Sequence, residues 1–274
     1  MKRAQAFRRR VGFILKALSA VLLVAGLAGV IYEVVGERRD RERLPRVGQA
    51  VDIGGRALNL YCSGEGAPTV VFDAGHGDPG YVWSHIQPEI AKVTRACWYD
   101  RAGEGWSDPG PFPRTSEAMA RDLHALLHTA GVAAPYVLAG HSLGGMNARV
   151  YNSLYPADVG GAVFVDAAHE DESRRAPEFM LGRKAPHYLW RPIWIAARAA
   201  RAVGLIRLMS PRVTLPADPA QRTREQIIQA LRQQPKSLAN HADASAPETE
   251  RQAERASGFG DRPVIVLTRG SASL

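Results

Sequence analysis

The longest apolar stretch of the chain lies near its N-terminus. Residues 11–35 hold only two charged side chains, Lys16 and Glu33, and residues 17–32 are uninterrupted and mostly apolar. A stretch of this length can cross a bilayer as a helix. A basic segment, residues 1–10, precedes it, and a charged segment, residues 36–47, follows it. The pattern favours an uncleaved transmembrane anchor over residues 11–35, followed by a solvated linker over residues 36–47.

Two other interpretations of this stretch stay open. A cleaved signal peptide needs a small-residue cleavage site, and residues 25–29 offer only a weak one. A buried helix fits less well, because charged segments flank both ends. Basic residues are almost equally frequent on the two sides, and Lys16 gives a slight excess that favours a cytoplasmic N-terminus. We therefore expect a single-pass membrane protein whose main domain is extracytoplasmic.

Beyond residue 48, short apolar runs alternate with amphipathic segments. Two alternating runs flank Gly54 and Gly55, which predicts a β-hairpin. Continuous apolar runs, typical of buried parallel strands, occur at residues 68–75, 94–100, 136–139, 161–166 and 263–270. Residues 116–130 form an amphipathic helical pattern, with Ser116 as candidate N-cap and Gly131 as the stop signal. These patterns predict an α/β domain, and the length of the chain is sufficient for one sizeable core.

The positive charge of the chain is concentrated outside this domain. The formal net charge is +8, but residues 1–46 hold 11 basic and 4 acidic side chains, so the remainder carries only +1. A nucleic-acid-binding domain is expected to carry its own basic surface. The distribution therefore argues against nucleic acid as a partner.

The segment 135–146 carries the clearest chemical motif. An apolar strand runs into Gly140-His141-Ser142-Leu143-Gly144, and a helical pattern follows. This is the G-x-S-x-G spacing, in which a serine stands on a sharp turn between strand and helix. Glycines let the flanking segments pass close together, and the first N–H groups of the helix point towards the serine. The alternative is a chance turn rich in glycine and serine, and the flanking strand and helix favour the nucleophile, Ser142.

This segment resembles the α/β-hydrolase superfamily, and the resemblance extends over most of residues 48–270. It implies a mainly parallel sheet flanked by helices, with a core over residues 48–172 and 259–274 and a helical cap insertion over residues 173–258. In the full family pattern another strand and a histidine-bearing loop follow residues 263–270. The sequence ends four residues later, so a C-terminally truncated version of the fold is expected.

The resemblance also implies a set of site residues. Residues 75–79 match the family's oxyanion loop, in which the backbone N–H of Asp78 would bind the oxyanion together with that of Leu143. His76 is interpreted as a residue that shapes this loop. Asp166, at the end of a predicted strand, is the candidate triad acid, or else an aspartate that organises the loop. Residues 100–107 match a glycine-rich rim loop and are interpreted as structural. The resemblance implies no metal and no organic cofactor.

The cap segment allows three interpretations. Basic helical patterns occur at residues 192–208 and 222–231. In the family such an insertion covers the pocket and selects substrates. The alternatives are core-packing helices with a solvated arginine face, or a cap that lies on lipid head groups.

A general base for Ser142 is missing from the sequence pattern. A serine hydroxyl needs a base within hydrogen-bond reach, and none of the eight histidines matches the family's base position. They are His76, His85, His124, His128, His141, His169, His187 and His241. Two functions follow from the resemblance: a membrane-anchored serine hydrolase that cleaves ester or related acyl bonds, or an inactive binding module of the same fold.

The resemblance also bears on the two cysteines, Cys62 and Cys97. In the family's sheet order the second hairpin strand is antiparallel to the strand that carries Cys97, and this can bring the two residues within disulfide distance. We therefore predict a disulfide if the domain faces an oxidising compartment. The alternative is a pair of buried free cysteines.

Overall fold

The computed structural model describes residues 2–171, 187–210, 213–241 and 246–268. It contains a seven-stranded sheet with the order β1-β2-β4-β3-β5-β6-β7. The first two strands form an antiparallel hairpin, β2 pairs antiparallel with β4, and every other pairing is parallel. The strands are β1 (Gln49–Asp52), β2 (Ala57–Ser63), β3 (Thr69–Asp73), β4 (Ala96–Tyr99), β5 (Tyr136–His141), β6 (Val159–Val165) and β7 (Val264–Leu267). The predicted α/β class, with a mainly parallel sheet, is confirmed.

Helices cover both faces of this sheet. The described helices are α1 (Lys2–Arg43), α2 (Gln87–Ile90), α3 (Ser116–Thr129), α4 (Leu143–Leu154), α5 (His187–Ala202), α6 (Leu205–Met209), α7 (Arg224–Arg232), α8 (Pro235–His241) and α9 (Ala246–Arg255). One apolar core lies between the sheet and α3 and α4, and includes Leu126 and Leu138. The other contains Phe72 and Trp98 on the opposite face, and Leu231 of α7 closes it.

The hairpin and the disulfide follow the predicted pattern. Gly54 and Gly55, between β1 and β2, both have positive φ, 101° and 88°, a backbone conformation that glycine adopts without steric cost. Cys62 of β2 lies directly opposite Cys97 of β4 in the antiparallel register. The two residues form a disulfide, with their Cα atoms 4.1 Å apart.

The start of α3 differs by one residue from the predicted cap. Thr115 is the N-cap, and its side chain accepts a hydrogen bond from the N–H of Ala118. Ser116 is the first helical residue, and its hydroxyl donates to Asn147 of α4 at 2.6 Å. Because Thr115 and Ser116 both carry a hydroxyl suited to capping, the sequence alone does not separate them.

Helix α1 is longer than the predicted anchor. It extends without interruption from Lys2 to Arg43, about 63 Å at 1.5 Å per residue. The part from Phe7 to Arg43 is long and apolar enough to span a membrane, by length and composition. The prediction of a solvated linker over residues 36–47 needs correction, because the helix continues to Arg43 and Leu44 is buried in the core. The indole Nε1–H of Trp106 donates to the carbonyl oxygen of Leu44 at 2.9 Å.

The predicted cap, residues 173–258, falls into two parts in the structure. Residues 172–186, 211–212 and 242–245 lie outside the described residues. Helices α5 and α6 contact α1, and α8 contacts α5, α6 and α7. In contrast, α9 packs against α3 and α4, and Thr249 and Gln252 accept hydrogen bonds from the N–H groups of Ser116 and Glu117. Helix α9 therefore belongs to the core layer, because its side chains satisfy the first N–H groups of a core helix.

Candidate active site

Ser142 stands on a strained turn between β5 and α4. Its backbone angles are φ 49° and ψ −118°, a conformation that non-glycine residues rarely adopt outside functional sites. A Cβ built at Gly140 would overlap the backbone of Gly144, and one built at Gly144 would overlap the carbonyl oxygen of Asp73. The turn is therefore compatible only with glycine at both positions, as the sequence pattern predicts.

The hydroxyl of Ser142 is free of intramolecular hydrogen bonds within the described ranges of the chain. Its carbonyl oxygen accepts from the N–H groups of Gly145 at 2.9 Å and Ala168 at 3.0 Å. Leu143 is the first residue of α4, so its N–H has no partner within the helix. The predicted nucleophile and the predicted oxyanion donor at Leu143 are thus adjacent at a helix N-terminus, where the helix dipole favours negative charge.

The predicted oxyanion loop lies at the end of β3. The N–H of Asp78 forms a turn hydrogen bond with the carbonyl oxygen of Gly75 at 3.2 Å, which is long for an N–H···O bond. The carboxylate of Asp78 is paired with Arg232 of α7 at 2.6 Å. A cap residue therefore holds the side chain of the predicted oxyanion residue. A Cβ built at Gly75 would lie 2.9 Å from Nδ1 of His141, so His141 borders this loop.

A buried polar network lies behind the elbow, and sequence reasoning missed it. Asp73 pairs with Arg101 at 2.7 Å, and Asn147 of α4 donates to the same carboxylate at 2.9 Å. The Arg101 guanidinium also donates to the carbonyl oxygens of Ala74, at 2.6 Å, and Gly75. Arg101 thus fixes the backbone that leads into the oxyanion loop. Asp73 ends β3 and Arg101 closely follows β4, its parallel neighbour. The ends of neighbouring parallel strands lie close together, and this was the signal by which the pair could have been found in the sequence.

Asp166 lies at the carboxyl end of β6, close to the elbow. Its φ is 44°, and it shares with Ser142 the distinction of being a non-glycine residue with positive φ among the described residues. Its N–H donates to the carbonyl oxygen of Leu267 at 2.7 Å, and two residues later Ala168 donates to Ser142. The side chain is exposed, and no hydrogen bond joins its carboxylate to any residue that the structure describes. The backbone of Asp166 is placed beside the site, but its carboxylate is not engaged there.

None of the histidine rings that the structure describes is hydrogen-bonded to Ser142. His124 stacks on Tyr155 with ring centroids 3.8 Å apart, and His85 lies 3.2 Å from Glu225. His169 is exposed and accepts from the N–H of Asp171 at 3.1 Å. His187 and His241 were predicted in the cap. They lie at the start of α5 and the end of α8, and their side chains are outside the described part of the structure. No described residue therefore acts as a base in contact with Ser142.

The rim loop, residues 100–107, holds several buried charges beneath α8. Asp100 accepts hydrogen bonds from the N–H groups of Gly80 at 2.6 Å and Trp106 at 2.9 Å, which supports the structural interpretation of this loop. Burial raises the pKa of Glu104 to about 7, although the positive charge of Arg101 opposes the shift. Burial lowers the pKa of Lys236 of α8 to about 8, against the attraction of Asp100. The glycine-rich sequence motif predicted the rim loop but not these two pKa shifts. The shifts arise from burial, because α8 of the cap packs against the loop.

No group of three or more histidine, cysteine, aspartate or glutamate side chains in the described part of the chain is arranged to hold a metal ion.

Comparisons with known proteins agree with the geometry. The strand–serine–helix elbow on a mainly parallel sheet defines the class of α/β-hydrolase-fold proteins. The family model described as alpha/beta hydrolase fold matches residues 68–210, about half of the sequence, and the chain belongs to this family.

Three relatives illustrate the extent of the likeness. The probable transporter efuK of Hormonema carpetanum is 35% identical over 135 residues, which cover 46% of this chain and 19% of that protein. The uncharacterized protein YbdG of Bacillus subtilis is 27% identical over 152 residues, covering 55% of this chain and 47% of that protein. The chain thus spans at most about half the length of these relatives. The crystal structure of a putative acyltransferase from Salmonella enterica superimposes with a TM-score of 0.58 at 19% identity, covering 81% of this chain and 78% of that one. That likeness concerns the fold alone.

Proposed function

We propose that this protein is a membrane-anchored serine hydrolase whose Ser142 attacks ester or related acyl bonds. The observation that carries the proposal is the backbone of Ser142, held at φ 49° and ψ −118° at the start of α4. Such strain persists only where the surrounding structure enforces it, and here Gly140, Gly144 and the network of Asp73 enforce it. Among the described residues, none forms a hydrogen bond with the Ser142 hydroxyl.

The proposed chemistry follows the order of acyl transfer. The hydroxyl oxygen of Ser142 attacks the carbonyl carbon of the substrate, and the carbonyl oxygen becomes an oxyanion. The N–H of Leu143 donates to this oxyanion, and the N–H of Asp78 joins it by exchanging its long bond to Gly75 for a bond to the charged oxygen. A general base takes the proton of the Ser142 hydroxyl during the attack and gives it to the departing alcohol oxygen as the intermediate collapses. The same base then takes a proton from water, which attacks the acyl-serine, and returns it to the Ser142 oxygen as the acid leaves. No described residue supplies this base, and Asp166 is proposed to orient it.

A second candidate function rests on a different observation. Ser142 contacts no base among the described residues, and the N–H of Asp78 is already engaged with Gly75. A site with this arrangement would bind acyl compounds without turning them over. The alternative is therefore an inactive binding module of the α/β-hydrolase fold.

Labelling and turnover together distinguish these functions. The full chain, reconstituted in lipid, is treated with a fluorophosphonate probe, and hydrolysis of a short-chain nitrophenyl ester is measured in the steady state. The hydrolase is supported by labelling and turnover that both disappear in Ser142→Ala, while the matched Ser153→Ala variant on the same helix retains both. Turnover that survives Ser142→Ala contradicts the role of Ser142. A lack of turnover in the parent, with ester binding retained, supports the binding module.

The cellular setting is part of the same proposal. Helix α1 would anchor the protein in the membrane with its N-terminus in the cytoplasm, and the domain would lie outside the cytoplasm. The slight basic excess before the apolar stretch and the disulfide between Cys62 and Cys97 support this orientation. The near-neutral charge of the body argues against nucleic acid as its partner; the proposed partner is a small acyl substrate.

A further inference from the structure

We propose that the cap helices α5 and α6 are embedded in the membrane beside α1, so that lipid covers their exposed apolar side chains. The proposal requires the anchor helix but is independent of any catalytic role of Ser142. It is based on the close packing of α1 against the turn between the two cap helices.

The first observation is a backbone contact inside the apolar stretch of α1. A Cβ built at Gly29 would overlap the carbonyl oxygen of Val203, and one built at Gly204 would lie 2.8 Å from the carbonyl oxygen of Gly29. Small residues that let backbones approach so closely are typical of helix packing within membranes. Gly29 lies within residues 17–32, the uninterrupted apolar part of the predicted span. The turn at residues 203–204 therefore lies at the depth of the span and not above it.

The second observation explains how an acidic residue is accommodated at this depth. Glu33 is the single acidic residue in the apolar stretch, and it is only 4% exposed. Arg207 of α6 pairs with Glu33 at 2.8 Å and with Asp40 at 2.7 Å, and Arg201 of α5 pairs with Glu37. Charges near the hydrocarbon region are costly unless paired. These pairs fix the cap to α1 and remove the cost of placing Glu33 near lipid.

The third observation identifies the surface that remains uncovered. Leu205, Leu208 and Met209 follow the i, i+3, i+4 spacing of one helix face, and Leu208 and Met209 are 70% and 76% exposed. Arg207 points elsewhere, towards Gly36 of α1. Val203 adds a further exposed apolar side chain at the turn.

Lipid is the occupant that the contacts favour. The apolar side chains of α6 are continuous with α1, whose own apolar side chains are exposed along the span. A bilayer that surrounds α1 at the level of Gly29 must also meet the turn packed against Gly29. An apolar face of this kind next to basic residues is also typical of helices that lie in the membrane interface.

Nitroxide accessibility in lipid vesicles tests the proposal. Because Cys62 and Cys97 are paired, a single introduced cysteine can be spin-labelled in the full chain. Leu208→Cys and Met209→Cys report on α6, Leu23→Cys reports on the span, and Val93→Cys reports on an exposed apolar position just before β4. Each protein is reconstituted in phosphatidylcholine vesicles with a minor fraction of phosphatidylglycerol, and collisions with oxygen and with a water-soluble nickel chelate are measured.

We expect labels at positions 208 and 209 to behave like the label at position 23. Collisions with oxygen should be frequent, and collisions with the nickel chelate several-fold rarer than at position 93. Nickel accessibility at 208 and 209 equal to that at 93 overturns the proposal, because water then covers this face. Exclusion of both reagents also overturns it, because a second protein copy then covers the face. Frequent collisions with the nickel chelate at position 23 would show that α1 does not cross the membrane, and this result also overturns the proposal.

Discussion

The buried carboxyl group of Glu104 makes the stability of the protein fall as pH rises. Glu104 is 4% exposed, and burial raises its pKa from 4.5 to about 7. Between these two values the folded state holds a proton that the unfolded state has released. The free energy of unfolding therefore decreases with rising pH through this window. The two pKa values differ by roughly 2.5, which corresponds to a change of about 3 kcal/mol in the free energy of unfolding.

The substitution Glu104→Gln isolates this contribution. Glutamine is similar in shape to a protonated glutamic acid and stays neutral. We expect parent and variant to be about equally stable near pH 4.5, and the variant to be more stable by up to about 3 kcal/mol at pH 8. Lys236 does not affect this comparison. Its pKa is lowered from 10.5 to about 8, so its titration changes the stability only between these two pH values, above the range compared here.

Urea unfolding of the full chain in detergent micelles, followed by tryptophan fluorescence at pH 4.5 to 8, measures this difference. Glu65→Gln removes the same charge from an exposed turn and should reproduce the pH profile of the parent. Parallel profiles for Glu104→Gln and the parent would show that Glu104 does not hold its proton in the folded state, and the reasoning from burial would be refuted.

Two further predictions concern the elbow and the disulfide. Gly144→Ala places a methyl group against the Asp73 carbonyl, so we expect a loss of about 1–3 kcal/mol in thermal unfolding and loss of fluorophosphonate labelling. Gly258→Ala, where a built Cβ meets nothing within 4 Å, is the control; an unchanged Gly144→Ala protein would contradict the packing argument. Alkylation and intact-mass analysis of unreduced, denatured protein from its native membrane should show Cys62 and Cys97 unmodified, and reduction should cost about 2–4 kcal/mol. Two alkylated thiols without reductant would contradict the disulfide.

The sheet was predictable because its signals are local. Each parallel strand is a short apolar run bounded by glycine, proline or polar residues, and the elbow adds a fixed spacing of glycines around Ser142. The pairing of Cys62 with Cys97 followed from the family's strand order, since antiparallel register sets which residues face each other. The strands and the elbow need no knowledge of distant contacts, whereas the disulfide needed the strand order that the family resemblance supplied.

The contacts that control the cap were not predictable in the same way. Arg207 is far from Glu33 and Asp40 in sequence, and nothing local distinguishes it from other arginines of the basic stretch. The same holds for Arg232 and Asp78. The segment 36–43 was predicted as a linker because it is charged, yet arginine and glutamate are good helix formers. Their partners on the cap make helix the preferred state there.

The cap connects α1 to the candidate site through two sets of ion pairs. Arg201 and Arg207 bind acidic residues of α1, and Arg232 binds Asp78 of the predicted oxyanion loop. A protein without residues 1–43 would expose Arg207, which is 12% exposed in its side chain, and would uncover the packing surface at Gly204. Such a protein can lose activity without any change at Ser142. Measurements of hydrolysis therefore assess the elbow only when α1 is present, since the position of Arg232 depends on a cap that α1 holds in place.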